Sequence, residues 1–158
     1  MADGDWVAAA VIVDPTGRAF VQRRAHDRQL FPGCWDIVGG HVESGEDVLD
    51  TVIREIHEET GWQLAAVHAC IGIFEWTADG RRRQEVDYLV SVDGELSRPR
   101  LELAKHPESS WIAAQDLVRL DENRAPGDTF IRDVVASAID LATAAAVIDP
   151  GIASDSGG

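Results

Sequence analysis

Cysteine is scarce in this chain: Cys34 and Cys70 are the only two among 158 residues. Their spacing fits neither a metal knuckle nor a redox pair, and their apolar and aromatic neighbours point to two buried free thiols. A disulfide-stapled secreted fold is not expected, and the cytoplasm is the default location. Long hydrophobic runs are absent as well; none approaches the ~20 residues that a membrane-spanning helix requires. The opening MADGDWVAAAVIVD has no basic segment ahead of its apolar run, so it reads as a first strand and not as a signal peptide. Positive charge is in deficit, with 28 acids against 14 bases and a net charge of −14. That balance disfavours binding to nucleic acid or to an anionic membrane. It leaves open a small anionic substrate, provided that a bound cation inverts the local field. Phosphate chemistry here should therefore be metal-assisted.

What is present suits one domain with a sizeable core: 45% hydrophobic and 27% charged residues, with no internal repeat. Residues 6–13 and 19–23 read as strands joined by a turn at Asp14-Pro-Thr-Gly17. A polar loop ends in Phe31-Pro-Gly33, and Trp35–Val38 is a short apolar run that Gly39-Gly40 interrupts. A helix is expected over 45–60, with Ser44 as N-cap and Gly61 as the C-terminal stop. Val48, Leu49, Val52, Ile53 and Ile56 form its apolar arc. Strands follow at 67–76 and 85–92 around Ala78–Arg83, then a short strand at 110–113, a turn or short helix at 114–120 and a long helix at 129–147. The domain is expected over residues 1–148. The Gly/Ser/Asp-rich tail, 149–158, is expected to be disordered. The Ala-rich last helix suits either packing on the domain or a homodimer contact, and periodicity does not choose.

The stretch GGHVESGEDVLDTVIREIHEETGW, Gly39 to Trp62, poses a charge problem. Glu55, Glu58 and Glu59 crowd the last turn of a helix, the end whose dipole disfavours acids, at spacings that bring like charges together. On a helical wheel centred on Val48, Glu59 falls at about 20°, inside the edge of the buried arc. Arg54 is placed to pair with Glu58 but cannot neutralise three carboxylates. A hard divalent cation, Mg²⁺ or Mn²⁺, would do so through oxygen ligands.

From Gly40 the fixed positions run Gly40, Glu46, Arg54-Glu55-Ile56, Glu58-Glu59 and Gly61-Trp62. This pattern resembles the Nudix box of the Nudix hydrolases at each of nine positions across 23 residues. The flanking Gln22-Arg23-Arg24, Phe31-Pro-Gly-Cys-Trp-Asp36 and Trp111 are also similar to the family. The resemblance implies an α/β fold, a mixed β-sheet between helices in an α/β/α sandwich. It implies metal binding by Glu55, Glu58 and Glu59 with a backbone carbonyl of Gly39 or Gly40. It further implies that Arg54 orients a catalytic glutamate, that Glu46 braces the loop and that Gly61 closes the box. The general base would be Glu55 or Glu58. A later acid, with Glu102 the best match and Glu85 second, would supply a base or an extra ligand. Substrate contacts are expected from Arg24 or Arg23, of which alternation lets at most one face the site, and from stacking on Phe31, Trp35 or Trp76. The implied reaction is hydrolysis of a nucleoside diphosphate linked to another moiety. Markers of the ADP-ribose, dinucleoside polyphosphate and coenzyme A subgroups are missing. What remains is a canonical or oxidised (deoxy)nucleoside triphosphate, cleaved to the monophosphate and pyrophosphate. Two other readings accompany it: a non-catalytic nucleotide sensor, and an enzyme similar to isopentenyl diphosphate isomerase.

Overall fold

β1 (Trp6–Ile12) is apolar on both of its faces, and its last five residues are all buried, which fits a strand covered on two sides. In the computed structural model, which describes residues 5–145, β1 lies inside a four-stranded sheet. It pairs antiparallel with β4 (Val38–His41) and parallel with β6 (Arg81–Asp93). β5 (Gln63–Ala78) pairs antiparallel with β6 and forms the far edge, so the sheet is mixed. A second, antiparallel sheet has β2 (Ala19–Arg23) between β3 (Trp35–Asp36) and β7 (Glu108–Ile112).

Alternation divides the core in two. Ala9 and Val11 of β1, Ala19 and Val21 of β2 and Leu89 of β6 face α2 (Phe130–Ala144), which buries Ile131, Val134, Val135, Ala138, Ile139 and Ala142 against them. Ala8, Ala10, Ile12, Phe20, Val86 and Val90 face the other way, toward Val52 and Ile56 of α1 (Val48–Thr60). There Phe20 meets Trp62 and Trp111 edge-on, with centroids 4.9 and 5.3 Å apart. The result is the expected α/β sandwich, with a 3₁₀ helix (Ala114–Asp121) beside α2. No helix among the described residues is long and apolar enough to cross a membrane.

Several expectations change. Gly39-Gly40 does not break the chain's extended course; both lie in β4, paired with Ala9 and Ala8. β5 and β6 are longer than their apolar runs, because the hairpin tightens to Asp79-Gly80. Both tip residues have positive φ, 51° and 70°, the signature of a two-residue hairpin turn. Cys34 is buried, but Cys70 is exposed on the edge strand. The last helix ends at Ala144; residues 146–147 and the tail at 149–158 lie outside the described residues.

Candidate active site

The box helix starts three residues later than its serine suggests. Asp47, not Ser44, is the N-cap: its carboxylate accepts from Asp50 N at 2.8 Å, and Asp50 accepts from Asp47 N at 3.2 Å. A reciprocal pair of this kind satisfies two orphan donors at once. At the other end Gly61 adopts the left-handed conformation (φ 77°) and donates to His57 O at 2.9 Å, as anticipated for the stop. The buried stripe is narrower than the apolar arc. Leu49 and Ile53 are 41% and 49% exposed, whereas Thr51, Val52, Ile56, Glu59 and Thr60 are buried. The helix is thus rotated so that a glutamate occupies a core position.

Glu59 is 5% exposed, and its Oε2 accepts from Gln22 Nε2 at 2.7 Å and from Gly39 N at 3.3 Å. Both donors are neutral. Burial first, and the neighbouring Glu55 second, push its carboxyl well above the ordinary carboxylate range. Burial also raises Glu55, against the opposing hydrogen bond from Arg54. Glu58 is nearly half exposed and is held by the same guanidinium.

Arg54 organises this end of the site. Its Nε and Nη2 grip Glu46 at 2.8 and 3.0 Å, Nη1 donates to Glu55 at 2.8 Å and to Glu58 at 3.3 Å, and Nη2 also reaches the carbonyl of His41 at 3.1 Å. The bidentate grip holds Glu46 down at about 2. Glu46 also accepts from Glu43 N and from the Thr51 hydroxyl, which ties the loop to the helix.

The glycine pair serves this arrangement sterically. A Cβ on Gly40 would stand 2.2 Å from Glu55 Oε1, whereas one on Gly39 would stand 2.7 Å from the carbonyl of Ala8 and 2.8 Å from Ala9 Cα. The two alanine substitutions should therefore differ. Gly40→Ala pushes aside the end of a side chain and should lower kcat/KM by ~10- to 100-fold through misplacement of Glu55, with little change in melting temperature. Gly39→Ala meets backbone and should cost ~1–3 kcal/mol in stability. Kinetics and thermal melts on both proteins check this; unchanged kinetics for Gly40→Ala would rule out a working role for Glu55 in its present place.

Glu55 and Glu59 line a cavity of about 810 Å³ together with Asp36 and Glu85 of β6, whereas Glu58 is not among its lining residues. The same lining carries Arg24, Arg28, Lys105 and Arg124, close enough to the acids that Arg24 Nη1 stands 3.6 Å from Asp36. Phe31, Trp76 and Phe130 supply an aromatic end. Strand parity separates the two candidate arginines. Arg24 lines the cavity, with Nε donating to Leu30 O at 2.8 Å and Nη1 3.6 Å from Asp36; burial lowers its pKa from the ordinary value. Arg23 points the other way, over the Trp35 ring at 4.6 Å and paired with Glu122 and Glu108. Trp35 is likewise a core residue, 3% exposed, whose indole N–H donates to Glu122, so it does not reach the cavity. Phe31 does, in a left-handed conformation (φ 48°).

Glu102 is not in the cavity wall. Its backbone carbonyl accepts from Lys105 N at 2.9 Å and His106 N at 2.8 Å, forming a turn that brings those two residues to the cavity instead. His106 is 4% exposed with no partner for Nδ1, and burial with Arg24, Arg28 and Lys105 nearby lowers its pKa to about 3. Sequence reasoning missed His106 and Arg124, both of which line the cavity.

No group of three His, Cys, Asp or Glu side chains among the described residues converges into a ready-made ion cage. The donor set nonetheless fits a hard cation. Glu59 is a buried carboxylate with only neutral partners, Glu55 repels it, and Glu58 lies one turn from Arg54 on the same helix.

Comparison with known proteins agrees with this geometry. A family model for the NUDIX domain matches residues 5–135. The chain is 32% identical over 130 residues to nucleoside triphosphatase NudI of Escherichia coli (strain SE11) and of Shigella flexneri, spanning 75% of this chain and 89% of each relative. Its fold superposes on a MutT NUDIX hydrolase from Burkholderia pseudomallei with a TM-score of 0.68 at 28% identity, covering 84% of this chain and 96% of that one. An Ap4A hydrolase of C. elegans shares the fold, with a TM-score of 0.66 at 19% identity over 90% of this chain and 97% of the other. The chain belongs to the NUDIX family of hydrolases.

Proposed function

We propose that this protein is a Mg²⁺- or Mn²⁺-dependent pyrophosphohydrolase of nucleoside triphosphates, canonical or oxidised, releasing the monophosphate and pyrophosphate. The observation that carries the reading is the mixed charge of the cavity lining. Glu55 and Glu59, two mutually repelling carboxyls, share it with Arg24, Arg28, Lys105 and Arg124. A polyphosphate in this cavity would be bound through metal held by the acids and directly by the guanidinium and ammonium groups. The extended similarity to nucleoside triphosphatase NudI supports the same substrate class. A cytoplasmic site of action is part of this reading.

In this scheme Glu55, Glu58, Glu59 and a carbonyl of Gly39 or Gly40 hold the cation. The bound ion supplies charge neutralisation and lowers the pKa of an attacking water. Arg54 holds Glu55 and Glu58 in place, and one of these two accepts the water's proton. Water adds to phosphorus, a phosphoanhydride bond breaks, and pyrophosphate leaves with the electron pair. The cationic side chains of the lining would steady the departing charge. Neither cysteine lines the cavity, so an isomerase-type cysteine has no counterpart there.

The test is a chromatographic screen of canonical and oxidised nucleoside triphosphates, ADP-ribose, nucleotide sugars and dinucleoside polyphosphates, with and without Mg²⁺. Metal-dependent release of a monophosphate from triphosphates is expected. Cleavage confined to another class would replace the substrate. Binding without cleavage would favour a sensor.

A further inference from the structure

β6 carries Arg83, Glu85 and Asp87 at alternate positions, so all three point to one face of a strand flanked by β1 and β5. All are buried, at 5, 6 and 0% exposure. The hydrolytic scheme above uses none of them, yet two of them hold one ring and the third lies against Glu85. The indole Nε1 of Trp76 donates to Glu85 Oε1 at 3.2 Å. The Arg83 guanidinium lies over the same ring, 4.9 Å from its centroid, and donates to Ala78 O at 3.0 Å. Phe31 meets Trp76 edge-on at 6.0 Å. An aromatic side chain in a cavity wall is thus held at its face and at two edges.

Asp87 explains the edge contact. Neither of its oxygens has a donor when both acids are ionised. Its neighbour is the Glu85 carboxyl, and only a proton held between the two makes that contact a hydrogen bond. Burial raises both acids, Asp87 acts further on Glu85, and Asp36 adds its charge, so one proton shared by the pair is favoured over two buried charges. Glu85 then donates to Asp87 and accepts from Trp76 as a neutral group.

Position suits a role in substrate binding. Glu85 is opposite Val7 of β1, and Val7 is opposite His41 of β4, next to Gly40. Two strand spacings, ~10 Å, therefore separate the ring's anchor from the glycine pair. That distance is comparable with the length of a nucleoside.

We propose that Trp76 is the platform on which the substrate's nucleobase stacks, with Arg83 backing the ring and the Glu85–Asp87 pair pinning its edge. The inference rests on the nucleotide reading above. It assigns Glu85 a positioning role and not a place among the metal ligands.

The experiment uses whichever triphosphate the wild-type protein turns over best, with inorganic tripolyphosphate as a competitive inhibitor that lacks a base. Trp76→Ala should raise KM by about 5- to 100-fold, the range that base–aromatic stacking spans, with kcat within about threefold. Trp76→Phe should restore most of the loss. Inhibition by tripolyphosphate should be unchanged in both. Glu85→Gln keeps a neutral donor and acceptor and should stay within a few-fold of wild type, whereas Glu85→Ala should raise KM. Equal weakening toward nucleotide and tripolyphosphate would overturn the platform. Loss of turnover in Glu85→Gln, the result expected of a metal ligand, would overturn the anchor. If Trp76→Ala fails to fold, Trp76→Phe and Glu85→Gln carry the decision. Wild-type cleavage with unchanged kinetics in the Trp76 variants sinks this inference alone; no cleavage of any nucleotide sinks the nucleotide reading and this inference with it.

Discussion

Glu59→Gln is expected to lower kcat/KM by ~100-fold or more while making the metal-free protein more stable. Glutamine keeps the size of the side chain and an oxygen for Gln22 and Gly39, so the helix should remain seated. What it removes is a charge in a dry position beside Glu55. The sign follows from linkage. An acid whose pKa is raised by folding leaves stability intact below its unfolded value, and that stability is lost as pH rises through the folded value. Metal-free wild type should therefore lose stability above about pH 4 where the variant does not, and the gap should be present at pH 7. Added Mg²⁺ should reverse the order. A ligand at 100 times its Kd stabilises the native state by ~2.7 kcal/mol, and in a chain of this size that raises Tm by roughly 5–10 °C. The variant should show little of this rise. Melting curves with and without Mg²⁺, beside steady-state kinetics, test both halves. Near-normal turnover at saturating Mg²⁺ would remove Glu59 from the metal site.

Acid should act on the cavity through His106. Its imidazole is buried among cations, with a pKa of about 3. Here folding lowers the pKa of a base, so the unfolded chain takes up the proton first and stability falls as pH drops below about 6.5. Between pH 7.5 and 5 this residue alone should cost ~2 kcal/mol. Burial is the main cause, and Arg24, Arg28 and Lys105 add to it. His106→Gln cannot titrate, so its stability loss over that interval should be smaller than that of wild type by the same amount. Urea denaturation at the two pH values measures the difference. Equal losses in the two proteins would show that His106 is readily charged in the native state.

The box was legible because its chemistry is local. Stop, acid spacing and the Arg54–Glu46 pair all lie within one loop and one helix, where sequence distance and spatial distance agree; the cap alone differs from expectation, at Asp47 instead of Ser44. The rotation of α1 was less legible. Leu49 and Ile53 are as apolar as Val52 and Ile56, and only contact with β4 and the core decides which pair is covered. Parity predicted that Arg23 and Arg24 would diverge; which of them faces the cavity depends on the loop that returns through Leu30 and Asp36. Glu85 is a candidate ligand or base from the sequence, but its partner Asp87 was hidden for a related reason. Alternation with Val86, Tyr88 and Val90 does not show that both faces of β6 are covered. Glu102 misled because a turn inverts the expected order: its carbonyl closes the turn and the following side chains reach the cavity.

Lys105 is the only lysine in the chain, and its side chain stands more than half exposed in the cavity lining. Amine-selective reagents consequently have one side-chain target in the native protein, and it lies in the cavity wall. Acylation at a pH that spares the α-amino group would neutralise a single charge in the cavity wall. A fluorophore attached at the same point would turn the protein into a sensor of its own occupancy.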